Sequence, residues 1–245
     1  MKLLLMADGY VGLEVVRGLL KNFLEDIAMI VVVSENEIID EARGANVPCC
    51  VFRSDDQICK LLGELGVEYD LGVLAWWPKL LRKPLIDIPR KGFINTHPSL
   101  LPYNRGKHYN FWALVEQVPF GVSLHMVDDG VDSGDLVSQK HIDYSWEDNG
   151  ETLYCKAQRA MIDLFQDTYP VIRELTFQCT PQDLTQGSFH NAVELDGASE
   201  VHLERSYVAR DLLNLLRARS FSGHPSCWFK DGEEEFEVRI EIRRK

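Results

Sequence analysis

Lys2-Leu-Leu-Leu-Met6-Ala7-Asp8-Gly9, followed by the amphipathic run 11–23 and the β-branched run 28–33, decides the fold class of this chain. The first apolar run reads as a strand buried on both faces, because no polar residue alternates with its leucines. Asp8-Gly9 reads as a tight turn into a helix on which Val11, Val15, Leu19 and Phe23 recur at i, i+4. The unit then repeats. A helix at 36–43 precedes a short strand at 49–52, a helix at 55–65 precedes a strand at 71–75, and a fifth strand falls at 92–95. Buried strands alternating with amphipathic helices predict an α/β fold with a Rossmann-like, mostly parallel sheet and helices on both faces. Ligands of such sheets sit beyond the carboxyl ends of the strands. Trp76-Trp77 and Asn95-Thr96-His97 both follow strands, so both belong to that edge.

After residue 106 the pattern changes. A helix is expected at 107–116 and a strand at 122–127, where Val122, Leu124 and Met126 alternate with Ser123, His125 and Val127. A second strand is expected at 135–142, then a long helix at 151–175 that ends or kinks near Pro170. Residues 177–200 are rich in Gln, Thr, Ser and Gly and read as a linker or covering loop. A helix at 204–216 carries the stripe Val208, Leu212, Leu215. The chain then reads as a β-hairpin around Asp231-Gly232, with Phe236, Val238, Ile240 and Ile242 on one face. A two-stranded hairpin is marginal alone, so that face needs the main body or a second subunit. The predicted division is a main domain at 1–180, a linker at 181–203, and a small C-terminal helix and β-hairpin at 204–245, with dimerisation as its role.

Composition sets limits. The 245 residues are 45% hydrophobic and 26% charged, ordinary for a globular chain of one large domain with an appendage. No apolar run approaches the roughly 20 residues that span a bilayer, and the run before Ala7-Asp8 is too short for a signal peptide. The expected location is cytoplasmic, with no membrane partner. The six cysteines lack metal-like spacing and read as reduced, buried thiols. A net charge of −12 argues against a nucleic-acid partner, which needs clustered basic residues. A small anionic ligand needs only a local patch, and Lys79, Arg82, Lys83, Arg105, Lys107 and His108 supply one.

The chemistry concentrates between Phe93-Ile-Asn95-Thr-His97-Pro98-Ser-Leu-Leu-Pro102 and Val127-Asp-Asp-Gly130-Val-Asp132-Ser-Gly134-Asp135. Asn95 and His97 are two apart, so on extended backbone they share a side. Pro98 holds His97 out of helical geometry. An amide, an imidazole and a carboxylate are what acyl transfer needs: an oxyanion donor, a proton shuttle, and a group that tunes the shuttle. Alone, each has a plainer reading. A histidine there caps a loop carbonyl, an asparagine makes a turn, and Asp128, Asp129 and Asp135 are solvated acids. A calcium loop would need a different acidic spacing and a terminal Glu. Asp8-Gly9-Tyr10-Val11-Gly12 lacks the Gly-x-Gly-x-x-Gly of dinucleotide binders. Two adjacent tryptophans cannot both point inward, so one of Trp76 and Trp77 is offered to a ligand.

Taken together, Asn95-x-His97-Pro-Ser-Leu-Leu-Pro102, Arg105-Gly106, Gly121-Val-Ser-Leu-His125 and Val127-Asp-x-Gly-x-Asp132-x-Gly134 resemble the 10-formyltetrahydrofolate-dependent formyltransferase family. The resemblance is strong over about 70–140 and looser from 1 to about 190. It implies a catalytic triad of Asn95, His97 and Asp132, with His125 as a structural neighbour. It implies 10-formyltetrahydrofolate as co-substrate, held by Trp77, Leu80, Val127, Asp128, Asp129 and Gly130, and no metal. Lys79, Arg105, Lys107, His108 and Tyr109 are the expected substrate-binding residues.

Within that family the methionyl-tRNA enzymes carry a C-terminal nucleic-acid-binding barrel, and the formyltetrahydrofolate hydrolases an extra N-terminal domain. The glycinamide ribonucleotide enzymes carry a Gly-Ser-Asn-like loop where this chain has Asp8-Gly9-Tyr10. The chain most resembles the short, typically dimeric sugar N-formyltransferases. These modify nucleotide-linked amino sugars such as dTDP-4-amino-4,6-dideoxyglucose for surface polysaccharide. The rivals are an aminoacyl or ribonucleotide amine as acceptor, a nucleotide-sugar-binding protein without turnover, and a metal-dependent hydrolase using His97 and Asp132.

Overall fold

A computed structural model describes residues 1–245. The chain forms two compact units built from interleaved segments: 1–97, 123–139 and 161–182 in the first, and 98–122, 140–160 and 183–245 in the second.

The first unit begins with the predicted alternation: β1 (Leu3–Ala7), α1 (Gly9–Asn22), β2 (Ile27–Val32), α2 (Glu37–Gly44), β3 (Cys49–Val51), α3 (Asp55–Leu65), β4 (Leu71–Ala75) and β5 (Phe93–His97). The strands β1 to β5 pair in parallel in the order β3-β2-β1-β4-β5. Two glycines let the layers close. A Cβ on Gly12 of α1 would sit 3.0 Å from the Ala75 carbonyl, and one on Gly72 would overlap the Phe93 ring at 2.3 Å. Leu4, Met6, Met29, Val31, Leu74 and Phe93 of the sheet pack with Ile58 and Leu62 of α3. Asp26, only 1% exposed, is a buried charge of this unit. It accepts from Tyr169 Oη at 3.1 Å and Arg173 Nε at 2.8 Å, with the N-terminal ammonium at 3.5 Å.

Three elements run through both units' segments: β7 (Gly121–Met126), β8 (Leu136–His141) and α5 (Gly150–Ile172), numbered after β6 (Arg105–Gly106) and α4 (Tyr109–Glu116). The sheet continues β5-β7-β8, and β7 is antiparallel to β5. That reversal makes the sheet mostly, not wholly, parallel. α5 runs two residues past Pro170, where an end or kink was expected.

The second unit holds β6, α4, β9 (Phe189–His190), α6 (Glu194–Ala198), α7 (Ala209–Ala218) and the antiparallel hairpin of β10 (Cys227–Asp231) and β11 (Glu234–Val238). The expected linker is therefore structured. β9 pairs in parallel with β6, and His190 is stacked on Trp112 at 3.7 Å between Glu116 (2.7 Å) and Glu194 (3.0 Å). α7 starts at Ala209, not near 204, and α4 starts at Tyr109 because His108 is left-handed at φ 59°. In the hairpin, Phe229 and Phe236 are register partners with rings 5.4 Å apart. Ile240 and Ile242 lie beyond β11. All six cysteines are free, but only Cys227 is buried, and Cys155 and Cys179 are exposed, against the expectation of buried thiols. Burial pushes the Cys50 thiol up to about 11 and the Cys227 thiol up to about 12. No helix is long and apolar enough to cross a membrane.

Candidate active site

The register of β5 against β7 builds the site. Asn95 stands opposite His125, and His97 opposite Ser123. Residues opposite one another, and residues two apart, share a face of the sheet, so these four side chains converge. Thr96 points the other way. Its Oγ1 donates to the Leu74 carbonyl at 3.0 Å and accepts from Trp76 N–H at 2.7 Å, which ties the end of β4 to β5. Trp76 is left-handed at φ 57°.

Asp132 arrives on the loop between β7 and β8. The loop is tight: a Cβ on Gly134 would stand 2.0 Å from the Met126 carbonyl, and Met126 N–H donates to Asp135 O at 2.8 Å. Asp128 closes its outer turn by accepting from Gly130 N–H at 3.0 Å and Ser133 Oγ at 2.9 Å. Asp132 itself is left-handed at φ 51°. Its Oδ1 lies 3.3 Å from His97 Nδ1, 3.4 Å from Asn95 Nδ2 and 3.6 Å from His125 Nε2. The structure thus brings Asn95, His97 and Asp132 together, with His97 buried to 4% exposure. Burial pushes the Asp132 carboxyl up. The charge of His97 and its hydrogen bond outweigh it and hold Asp132 well below the ordinary carboxylate range.

His125 belongs to the site more directly than its sequence suggested. Its Nδ1 lies 2.8 Å from the Met126 carbonyl, so in the neutral ring the proton sits on Nδ1 and Nε2 accepts from Asn95 Nδ2 at 3.2 Å. That network assigns the Asn95 amide nitrogen inward, with its two hydrogens on His125 and Asp132. His97, His125 and Asp132 could also be a cation's ligands, since their donor atoms lie within 4.8 Å of one another. The amide argues for another use: it places hydrogens on the lone pairs of His125 and Asp132 that a cation would need.

Of the expected folate residues, Trp77 is a core side chain, 9% exposed and edge-on to Phe52 at 5.5 Å. Trp76 is the half-buried tryptophan, and Leu80 is 76% exposed. Lys83 reaches Asp129 at 3.7 Å and so brings the segment after β4 to the 127–130 loop. Val127 is half-buried against the core, and the Asp128–Gly130 turn beside it is exposed, with Gly130 N–H held by Asp128. Lys79, the one expected substrate residue in the first unit, lies 5.8 Å over the Phe52 ring. Arg105, Lys107, His108 and Tyr109 are consecutive or nearly so in the second unit, where Arg105 N–H donates to Ser188 O and Lys107 N–H to His190 O, both 3.0 Å. Burial, with the charges of Arg219 and Lys107, lowers the His108 pKa, and burial raises the Tyr109 phenol well above its ordinary value.

Sequence reasoning missed Thr96 and Gln182. Gln182 lay in the stretch read as a linker, yet its amide bonds the carbonyls of Asp132 and Gly134. No local signal marked it.

An asparagine and a histidine on β5 and an ionised aspartate on the loop after β7 thus meet on a Rossmann-like scaffold, an arrangement whose donors and carboxylate suit acyl transfer. This chain belongs to the formyl transferase family, whose model matches residues 23–168, and residues 194–244 match the N-formyltransferase dimerization C-terminal domain. Methionyl-tRNA formyltransferase of Thermodesulfovibrio yellowstonii is 33% identical over 185 residues, 74% of this chain and 58% of that protein. The chain spans about half to three-fifths of the length of the curated relatives it matches. A sugar N-formyltransferase from a Shewanella species has the same fold, with a TM-score of 0.82 and 17% identity over 100% of this chain and 99% of that one. The N-formyltransferase of Helicobacter canadensis, in complex with folinic acid and dTDP-3-aminofucose, gives a TM-score of 0.70 and 14% identity over 98% of this chain and 96% of that one.

Proposed function

We propose that this protein transfers a formyl group to the amine of a nucleotide-linked amino sugar, with dTDP-4-amino-4,6-dideoxyglucose as the first candidate. The observation that carries the reading is the single cluster of Asn95, His97 and ionised Asp132 in a chain of the formyl transferase family. 10-Formyltetrahydrofolate supplies the formyl carbon, which exchanges its bond to the folate nitrogen for one to the sugar nitrogen. Val127, the Asp128–Gly130 turn and Leu80 would hold that co-substrate. The Asn95 amide turns one hydrogen from its long 3.4 Å contact with Asp132 to the formyl oxygen as that oxygen gains charge. His97, with Nδ1 on Asp132, donates to the same oxygen through Nε2. Asp132 balances the charge on His97, and the proton that the attacking amine loses passes through this cluster to the folate nitrogen, which takes it as its bond to the formyl carbon breaks. Lys79, Arg105, Lys107, His108 and Tyr109 are assigned to the nucleotide sugar.

The match of residues 194–244 to the dimerization domain of N-formyltransferases supports the sugar class over the tRNA class, as does the net charge of −12. The identity with methionyl-tRNA formyltransferases keeps an aminoacyl amine as the second reading. The proposed assembly is a cytoplasmic homodimer, and the proposed pathway is surface-polysaccharide synthesis. The test is purified protein with 10-formyltetrahydrofolate and separate panels of nucleotide amino sugars, methionyl-tRNA and glycinamide ribonucleotide, the products read by mass spectrometry. A sugar gaining one formyl group supports the reading, and transfer only to methionyl-tRNA replaces it. Turnover abolished by chelators would move the site to metal chemistry.

A further inference from the structure

The loop that carries Asp132 has little regular structure of its own, yet it must hold a carboxylate to within a fraction of an ångström. Asp132 is left-handed at φ 51°, a conformation that side-chain-bearing residues adopt only when something holds them there. Two carbonyls bracketing Ser133-Gly134 turn to one point and meet a single nitrogen. Gln182 Nε2 lies 3.0 Å from Asp132 O and 2.6 Å from Gly134 O. Gln182 is brought there from 50 residues away by an antiparallel bridge, in which Leu136 N–H donates to Thr180 O at 2.8 Å and Thr180 N–H donates back at 2.9 Å. The amide can sit only one way, because the flipped form would set its oxygen against two carbonyl oxygens. Its Oε1 is buried and has no protein partner, so the side chain is held by its nitrogen alone.

We propose that Gln182 is a positioning residue for formyl transfer, whose amide clamps the Asp132 and Gly134 carbonyls and thereby holds the Asp132 carboxylate against His97. The inference rests on the formyl-transfer reading and extends it to a side chain outside the Asn95, His97 and Asp132 cluster. Fixing the Asp132 carbonyl fixes the backbone that aims its side chain. Without the two bonds the loop relaxes from the left-handed turn and the carboxylate drifts from His97. A displacement of about 1 Å in a catalytic group costs on the order of 10²-fold in rate.

Gln182→Met keeps the length and volume but removes both donors. Gln182→Glu keeps the shape and sets an acceptor against two acceptors. Each is assayed for kcat and for KM toward both substrates, and Gln182→Met is also combined with Asp132→Asn. The expected result is a fall in kcat of about 10- to 100-fold in Gln182→Met, with KM for the amino sugar within about twofold, and at least as large a fall in Gln182→Glu. In the Asp132→Asn background the Gln182→Met change adds no further loss, because its route of action is already gone. Wild-type kcat in Gln182→Met overturns the inference, and so does an equal loss in both backgrounds, which would mean general loosening. Should Gln182→Met melt below the assay temperature, Gln182→Asn, one methylene too short, is read by the same criteria. Wild-type turnover is measured first. Its absence with every amine brings down the formyl-transfer reading itself, whereas turnover with an indifferent Gln182→Met brings down this inference alone.

Discussion

Asp132 is the residue on which the site's electrostatics turn. The Asp132 carboxylate is stable as an anion because the buried His97 imidazole gives back what desolvation takes, and its pKa lies well below the ordinary range. It is therefore charged throughout the range where the enzyme would be assayed. Its titration should add no limb to a kcat/KM profile between about pH 5 and 9. A limb in that range that disappears in Asp132→Asn with His97 intact would contradict this. Replacing Asn95 or His97 by Ala, or Asp132 by Asn, should each lower kcat by at least about 10²-fold while leaving the thermal melt close to wild type. Wild-type turnover in all three would sink the assignment. That Asn95 and His97 share a side was legible from their two-residue spacing on a strand, whereas Asp132 was singled out from its acidic loop only by the resemblance to the formyltransferase motifs. Thr96 and Gln182 were not legible. Their partners lie 22 and 50 residues away and are set by strand pairing, which no local pattern encodes.

Elements were legible wherever a short apolar run or a 3.6-residue period ran unbroken, as in β1 and β2 for the first and α1 for the second. Boundaries shifted where backbone geometry rather than hydrophobicity decided them, as at left-handed His108 before α4. The stretch read as a linker gave no periodic signal because β9 and α6 are short and are held by side-chain bonds of His190 and Glu194. β9 in turn leaves no room at β6: a Cβ on Gly106, at φ +90°, would stand 2.3 Å from the His190 carbonyl. Gly106→Ala should therefore raise KM for the amino sugar more than it lowers kcat, since β6 carries the basic 105–108 segment. An unchanged KM would count against that segment as the nucleotide site. In the first unit, Asp26 joins the start of β2 to the end of α5. Its burial raises the carboxyl pKa, but bonds from Arg173 and Tyr169 pull it below the ordinary value. A lowered folded pKa contributes stability above the unfolded value of about 3.9, and that stability is lost as pH falls through the folded value. Asp26→Asn should lower the melting temperature at pH 7 and flatten its decline on acidification. Parallel acid limbs in the two proteins would show that Asp26 is not a source of the decline.

At the scale of the whole molecule, the net charge and the C-terminal segment bear on the proposed partners. A net charge of −12 disfavours a polyanion, and the hairpin cannot be stable as an isolated ribbon. Phe236 is 42% exposed beside Phe229, and Val208 and Leu203 of the same unit are 66% and 53% exposed. Apolar surface of this kind, on a segment matching a dimerization domain, supports the proposed homodimer, in which identical patches would meet across a two-fold axis. Light scattering on the purified chain should then give twice 28.0 kDa. Phe236→Glu places a charge where two copies meet, twice over by symmetry, and should shift the protein toward monomer. Its Asn95, His97 and Asp132 geometry lies in the other unit, so kcat at saturating substrate should change less than the dimer population. A wild-type monomer at micromolar concentration would remove the dimer from the reading. A Phe236→Glu variant that stays fully dimeric would move the interface off this face of the hairpin.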